Sequence, residues 1–211
     1  MAKITKKAKK AVKTIKKSHV GKAARRRAPR LASPQKVLSD RKATKEARTN
    51  ATLLASRTDS SPKKGDIAPN FNIPNDAGHE THLSDFLGRQ VVLYFYPKDG
   101  TPGCTCEAKA FRDGMEKIVK HGASVIGVSC DSTESHKAFK EKYGLNFHLL
   151  SDTARDVVKK YGVWKNQNPG NGEEMGIERT TFLIDEKGRI KKVFPNVDVE
   201  HHYQDVLKAL G

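Results

Sequence analysis

Three cysteines stand at positions 104, 106 and 130, and one of them occupies a place where a thiol becomes a nucleophile. The segment Pro97-Lys98-Asp99-Gly100-Thr101-Pro102-Gly103-Cys104-Thr105-Cys106 follows a strand pattern and precedes a helical one, so Cys104 enters the first turn of a helix. Backbone N–H groups there have no intrahelical partner and the helix dipole is positive, which favours a thiolate over a thiol. Thr101 lies three residues earlier, where its hydroxyl can turn back toward the sulfur and a bound substrate oxygen. Pro97 and Pro102 stiffen the loop and lack N–H groups that would need solvation. The competing reading is an inert cysteine, since free cysteine is among the most buried residue types. Ionisation alone would not make an enzyme. Taking an ordinary thiol to nearly full ionisation at pH 7 multiplies its thiolate by only about 30-fold. The lower basicity of such a thiolate offsets part of that gain.

The elements that must hold this loop are legible on either side of it. VVLYFYP (91–97) is a continuous apolar and β-branched run, the pattern of a strand buried on both faces. A helix is expected from about Thr105 to Lys120, and SVIGVS (124–129) reads as a second buried strand. Thr133 to Tyr143 reads as a helix ended by Gly144, Phe147 to Leu150 as a short strand, and Thr153 to Tyr161 as a helix ended by Gly162. TTFLID (180–185) and RIKKVFP (189–195) flank the turn Glu186-Lys187-Gly188 as a hairpin, and Val199 to Leu210 closes the chain as an amphipathic helix. Residues 65–86 mix extended pieces with turn signals and predict a small hairpin, with Ser84 placed to cap a short helical turn. Alternating strands and helices that finish on a hairpin and a helix predict a thioredoxin-like three-layer α/β sandwich around a mixed central sheet.

The 211-residue chain carries a formal charge of +16, distributed unevenly. Residues 1–64 hold 21 basic and 3 acidic residues and no Phe, Trp or Tyr, whereas 65–211 hold 19 basic and 21 acidic residues and all 14 aromatics. The expected division is therefore a disordered basic arm and linker over 1–64 and a domain over 65–211. The arm cannot offset its ordering entropy by burial. Its cationic clusters (Lys6, Lys7, Lys9, Lys10, Lys16, Lys17, Arg25, Arg26 and Arg27) suit sequence-independent contact with the phosphates of DNA or RNA. Compositionally the arm resembles the lysine-rich tails of linker histones and bacterial histone-like proteins. A targeting or solubilising segment is the other reading. No apolar run approaches 18 residues, which argues against a membrane span. Three cysteines and no apolar leader argue against a disulfide-stapled secreted scaffold. An intracellular address follows, cytoplasmic or nucleoid-associated in a bacterium, nuclear or organellar in a eukaryote. No C-x-x-C pair or H-x-x-x-H cluster appears, so neither a dithiol reductase nor a metal site is expected.

Pro97-x-x-x-Thr101-x-x-Cys104 resembles the active-site signature of the peroxiredoxins, and YFYPKDGTPGCTCEAKAFRD resembles their bacterioferritin-comigratory-protein or PrxQ subfamily. The likeness continues through VIGVSCDSTESHKAFKEKYGLNFHLLSD, YGVW (161–164) and MGIERTTFLIDEKGRI (175–190), and covers roughly 65–211. The resemblance implies a thiol peroxidase that reduces hydrogen peroxide and organic hydroperoxides without metal or organic cofactor. It implies Cys104 as the attacking cysteine, Thr101 and Pro97 as the other signature positions, and Arg179 as an active-site arginine. It also implies recycling of a sulfenic acid by thioredoxin or another thiol, and the chain is expected to be a monomer. A binding protein on nucleic acid with a vestigial peroxidase domain is the alternative.

One family feature is missing. Many relatives carry a resolving cysteine five residues after the attacking one, and Lys109 stands there in this chain. Cys106 is about 200° around the helix from Cys104, so a bond between them would be strained without unwinding. Cys130 follows a strand at the carboxyl edge of the sheet, where α/β sites collect. Both stay open as resolving candidates, beside an external thiol.

Overall fold

The apolar run that begins at Val91 is buried on both sides because it forms the middle of a five-stranded sheet. In the computed structural model of the chain the described residues are 61–211. The cationic clusters at 6–27 and the expected disorder of the arm lie outside them. The order along the chain is β1 (Asn72–Pro74), β2 (Glu80–His82), a 3₁₀ turn (Leu83–Phe86), β3 (Gln90–Phe95) and α1 (Pro102–Lys120). Then come β4 (Ala123–Ser129), α2 (Thr133–Tyr143), β5 (His148–Ser151), α3 (Asp156–Lys160) and β6 (Trp164–Asn166). The chain closes with β7 (Met175–Ile177), β8 (Thr180–Ile184), β9 (Ile190–Phe194) and α4 (His202–Leu210).

The large sheet has the order β5-β4-β3-β8-β9. β3 runs parallel to β4 and β4 to β5, while β8 lies antiparallel to both β3 and β9. This is the expected mixed sheet. Successive residues of β3 point to opposite faces, and each face has its own apolar cluster. Val91, Leu93 and Phe95 pack with Phe71, Leu83, Val157, Tyr161 and Phe182, under α3 and the β1–β2 hairpin. Val92 and Tyr94 pack with Ala108, Phe111 and Ile118 of α1, Phe139 of α2, and Val206 and Leu210 of α4. These two clusters are the inner surfaces of a three-layer sandwich. Phe111 is fully buried between α1 and the sheet, so Phe111→Ala should cost about 3–5 kcal/mol.

Several boundaries differ from the sequence reading, each for a local reason. α1 starts at Pro102 rather than near Thr105, because proline fits the first helical turn and Thr101 takes the extended N-cap conformation. α3 is shorter than Thr153–Tyr161. The Asp152 carboxylate accepts from the N–H groups of Asp156 and Val158, which sets the helix start three residues later. Ser84 lies inside the 3₁₀ turn rather than capping it; Asp85 accepts from the His82 N–H instead. α4 begins at His202, not Val199, and the small β6–β7 pair was not anticipated. Gly144 does end α2 as expected, in the left-handed conformation at φ 62°. Among the described residues no helix is long and apolar enough to cross a membrane.

Candidate active site

Cys104 lies in the first turn of α1, after the loop that leaves the carboxyl end of β3. Pro97 is the first residue past Tyr96, whose N–H makes the last ladder bond to Val128. Pro97 has no N–H, so it ends the pairing and frees the chain to turn. Gly100 takes φ 72°, a value that L side chains rarely adopt, and so lets the loop fold back on itself. Thr101 then caps the helix through its backbone: its carbonyl accepts from the Thr105 N–H at 2.9 Å. Its hydroxyl donates to the Lys98 carbonyl at 3.1 Å, not toward the sulfur as anticipated. Thr101 therefore shapes the loop through both its backbone and its hydroxyl.

The decisive neighbour of the sulfur comes from far along the sequence. Arg179 sits between β7 and β8, and its Nη2 lies 3.3 Å from Cys104 Sγ. The same nitrogen also lies alongside Gly103, where a Cβ would stand 3.4 Å from it, an ordinary contact distance. Burial works against the guanidinium charge, but Glu107 and Cys104 beside it outweigh that and raise its pKa further. A fixed cation thus faces a thiol at a helix N-terminus, and both features stabilise negative charge on sulfur.

Glu107 was missed by the sequence reading. Only 1% of its side chain is exposed, and its Oε2 accepts from Arg179 Nη1. Burial pushes its pKa up to about 7 against the opposing pull of Arg179. The signal was present: Cys104, Glu107, Ala108, Phe111 and Ile118 share the buried stripe of α1, and an acid on such a stripe needs a buried partner. His202 of α4 closes the group, with Nε2 2.9 Å from Thr181 Oγ1 and 3.7 Å from Glu107 Oε1. Burial lowers its pKa to about 4, so it is neutral.

The other two thiols are placed differently. Cys106 is exposed, and Cys130 is half-buried. Cys130 packs against the cluster on the opposite sheet face from Cys104. Burial, reinforced by Asp152, pushes its pKa up to about 11.

Residues 64–193 match the AhpC/TSA family. The chain is 47% identical over 146 residues to peroxiredoxin Bcp of Bacillus subtilis, covering 69% of this chain and 93% of that protein. The chain belongs to the peroxiredoxins of the AhpC/TSA family. Its peroxiredoxin Bcp relative in Escherichia coli is 43% identical over 148 residues, covering 70% of this chain and 95% of the other. The bacterioferritin comigratory protein of Xanthomonas campestris, whose structures were described for its alkyl peroxide reduction activity, superposes with a TM-score of 0.64 at 37% identity. That match covers 66% of this chain and 89% of the other. This peroxiredoxin is accordingly a thiol-dependent peroxidase, an oxidoreductase of thioredoxin-like fold that takes peroxides as substrates and a thiol as reductant.

Proposed function

We propose that Cys104 is the attacking thiolate of this peroxidase, with Arg179, Thr101 and Pro97 completing the site. The observation that carries the assignment is Cys104 Sγ in the first turn of α1, 3.3 Å from the Arg179 guanidinium. The thiolate takes the terminal oxygen of a hydroperoxide together with its hydrogen. The S–O bond forms as the O–O bond breaks, giving a sulfenic acid and an alkoxide or hydroxide. That anion takes up the proton lost earlier from the thiol and leaves as alcohol or water. Arg179, the Cys104 N–H and a reoriented Thr101 hydroxyl supply the donors for the oxygen on which charge develops. Hydrogen peroxide and alkyl hydroperoxides are both substrates in this reading, the latter also on the likeness to the Xanthomonas campestris protein. A reducing thiol, thioredoxin or another, then attacks the sulfenic sulfur and expels water, and a second thiol releases Cys104. Trapping with a sulfenic-acid reagent after one equivalent of peroxide, followed by peptide mapping, should label Cys104. Label on Cys106 or Cys130 alone would refute the assignment.

Resolution by an external thiol fits best with Lys109 at the family's resolving position and with Cys130 on the other sheet face. The catalytic domain is taken as 65–211 and monomeric, with 1–64 as an arm that binds DNA or RNA through its net charge of +18. Such an arm places the enzyme inside a cell, on its nucleic acid. If six to ten phosphates are neutralised, affinity should fall by about 10³–10⁵ between 50 and 200 mM salt. Equal binding by the full chain and by a chain starting at Lys64 would remove the arm from that role.

A further inference from the structure

The reactive loop is also held from the side away from Arg179, by buried polar groups that the chemistry above does not use. The Asp99 side chain is only 7% exposed although it lies in a surface loop. Its Oδ1 accepts from the Tyr96 hydroxyl at 2.7 Å, and its Oδ2 accepts from Ser135 Oγ and His136 Nδ1, each at 2.8 Å. Its backbone N–H donates to Asp131 Oδ2 at 2.8 Å, an oxygen that also accepts from Ser129 Oγ. His136 of α2 is wholly buried, and its Nε2 stands 3.1 Å from the Leu150 carbonyl. A carboxylate and a carbonyl only accept, so the two ring nitrogens of His136 stand between two acceptors and tie the Asp99 carboxylate to the end of β5. Burial opposes the Asp99 charge, yet His136, Tyr96 and Ser135 outweigh it and lower the Asp99 pKa.

A buried carboxylate is a poor way to gain stability, because its desolvation offsets most of what its partners return. Its position supplies another reason. Lys98, Asp99, Gly100 and Thr101 offer no large apolar side chain to pack, so only polar bonds can fix this stretch. The Thr101 hydroxyl closes back onto the Lys98 carbonyl, which leaves Asp99 at the centre of a small ring of chain. Moving Asp99 moves Thr101 and the first N–H groups of α1 with it.

We propose that the Asp99–His136 pair is a clamp that sets where the reactive loop stands relative to sulfur and guanidinium, making both residues positioning residues for the peroxide step. The proposal rests on Cys104 and Thr101 acting as assigned above. A misplacement of about 1 Å in such a site costs on the order of 10²-fold in rate.

The test compares two reactions of the same sulfur in the full-length protein. His136→Gln and Asp99→Asn should each lower the second-order rate of peroxide consumption by about 10- to 100-fold. Alkylation of Cys104 by iodoacetamide needs no oriented O–O bond and should change by less than about 3-fold. The double variant should lose no more than the worse single one, because both act through one contact. A peroxide rate within about twofold of wild type in either folded variant overturns the clamp, as does an equal loss in both reactions. Should His136→Gln fail to fold, the nearly isosteric Asp99→Asn decides alone. Cys104→Ser serves as the control: continued peroxide consumption would overturn the site assignment itself, whereas an inert Cys104→Ser beside fully active clamp variants would overturn only the clamp.

Discussion

Cys104 and Cys130 follow adjacent parallel strands of one sheet and leave it at the same edge, yet their surroundings differ. Cys104 enters the N-terminus of a 19-residue helix with a guanidinium 3.3 Å from its sulfur. Cys130 faces the other apolar cluster with Asp152 and Asp131 nearby, and burial with those carboxylates takes its thiol up to about 11. The carboxyl edge of a parallel sheet collects functional groups. It does not by itself make a sulfur reactive. Burial first, and Asp152 after it, hold the Cys130 thiol up against the pull of Arg155, whereas the Cys104 sulfur has the Arg179 guanidinium as its polar partner.

The sharpest way to break this contrast is to delete each sulfur. Cys104→Ser should abolish peroxide reduction, while Cys106→Ser should keep at least one turnover in stopped-flow consumption of one equivalent of peroxide. Activity surviving in Cys104→Ser would reverse the assignment. Removing the cation comes next. Arg179→Ala deletes one donor to the developing oxyanion and a partner of the sulfur, so peroxide reduction should slow by about 10²–10³-fold. Arg179→Lys should recover part of that loss, because an ammonium keeps the charge but cannot bridge Cys104 and Glu107 with a planar fork. An unchanged second-order rate in Arg179→Ala would leave the helix N-terminus as the sole source of activation.

The sequence made one half of this contrast visible and hid the other. Cys104 could be located because a strand, a Gly/Pro loop and a helix are local patterns, and its neighbours in the chain carry the signature. The three-layer class with its mixed sheet followed from the same patterns, but the strand order did not. Arg179 lies 75 residues away, and alone it looks like any charged residue before a strand; only the family resemblance singled it out. Glu107 and His136 were overlooked because polar residues on helices are usually solvated, and nothing in composition says that 1% or less of each is exposed. The Thr101 hydroxyl was aimed at the sulfur from spacing, whereas the Lys98 carbonyl, equally near in sequence, holds it. The start of α3 was misplaced because Asp152 bonds the backbone from before the helix, a choice that depends on its burial.

A milder test concerns what Cys130 does. With its thiol near 11, only about 0.1% would be ionised at pH 8, so labelling by iodoacetamide should lag well behind that of exposed Cys106. Asp152→Asn removes a cap as well as a charge, so its effect must be read in labelling rather than stability. Labelling of Cys130 should rise. Cys130→Ser should leave turnover with an external thiol unchanged. Peptide maps of oxidised protein that show a Cys104–Cys130 bond, with turnover lost in Cys130→Ser, would make Cys130 the resolving cysteine and would require α1 to unwind locally.

The smallest expected effect is on stability and comes from the acid behind Arg179. Folding raises the Glu107 pKa from 4.5 to about 7, so the folded chain holds this proton more tightly than the unfolded chain. The stability it contributes is complete below about 4.5 and is lost as pH rises through about 7. His202 has the opposite sign: folding lowers its pKa from 6.5 to about 4, so its contribution is present above 6.5 and lost as pH falls through 4. Between about 4.5 and 6.5 the two partly cancel, and above 6.5 only the Glu107 loss continues. Glu107→Gln imitates the protonated acid and removes that loss. The melting temperature of wild type should therefore fall relative to Glu107→Gln between pH 6 and pH 8, as measured by calorimetry in matched buffers. A constant difference across that interval would mean that Arg179 keeps Glu107 ionised throughout, and the pair would then be a fixed ion pair instead of a group that titrates at neutral pH beside the reacting sulfur.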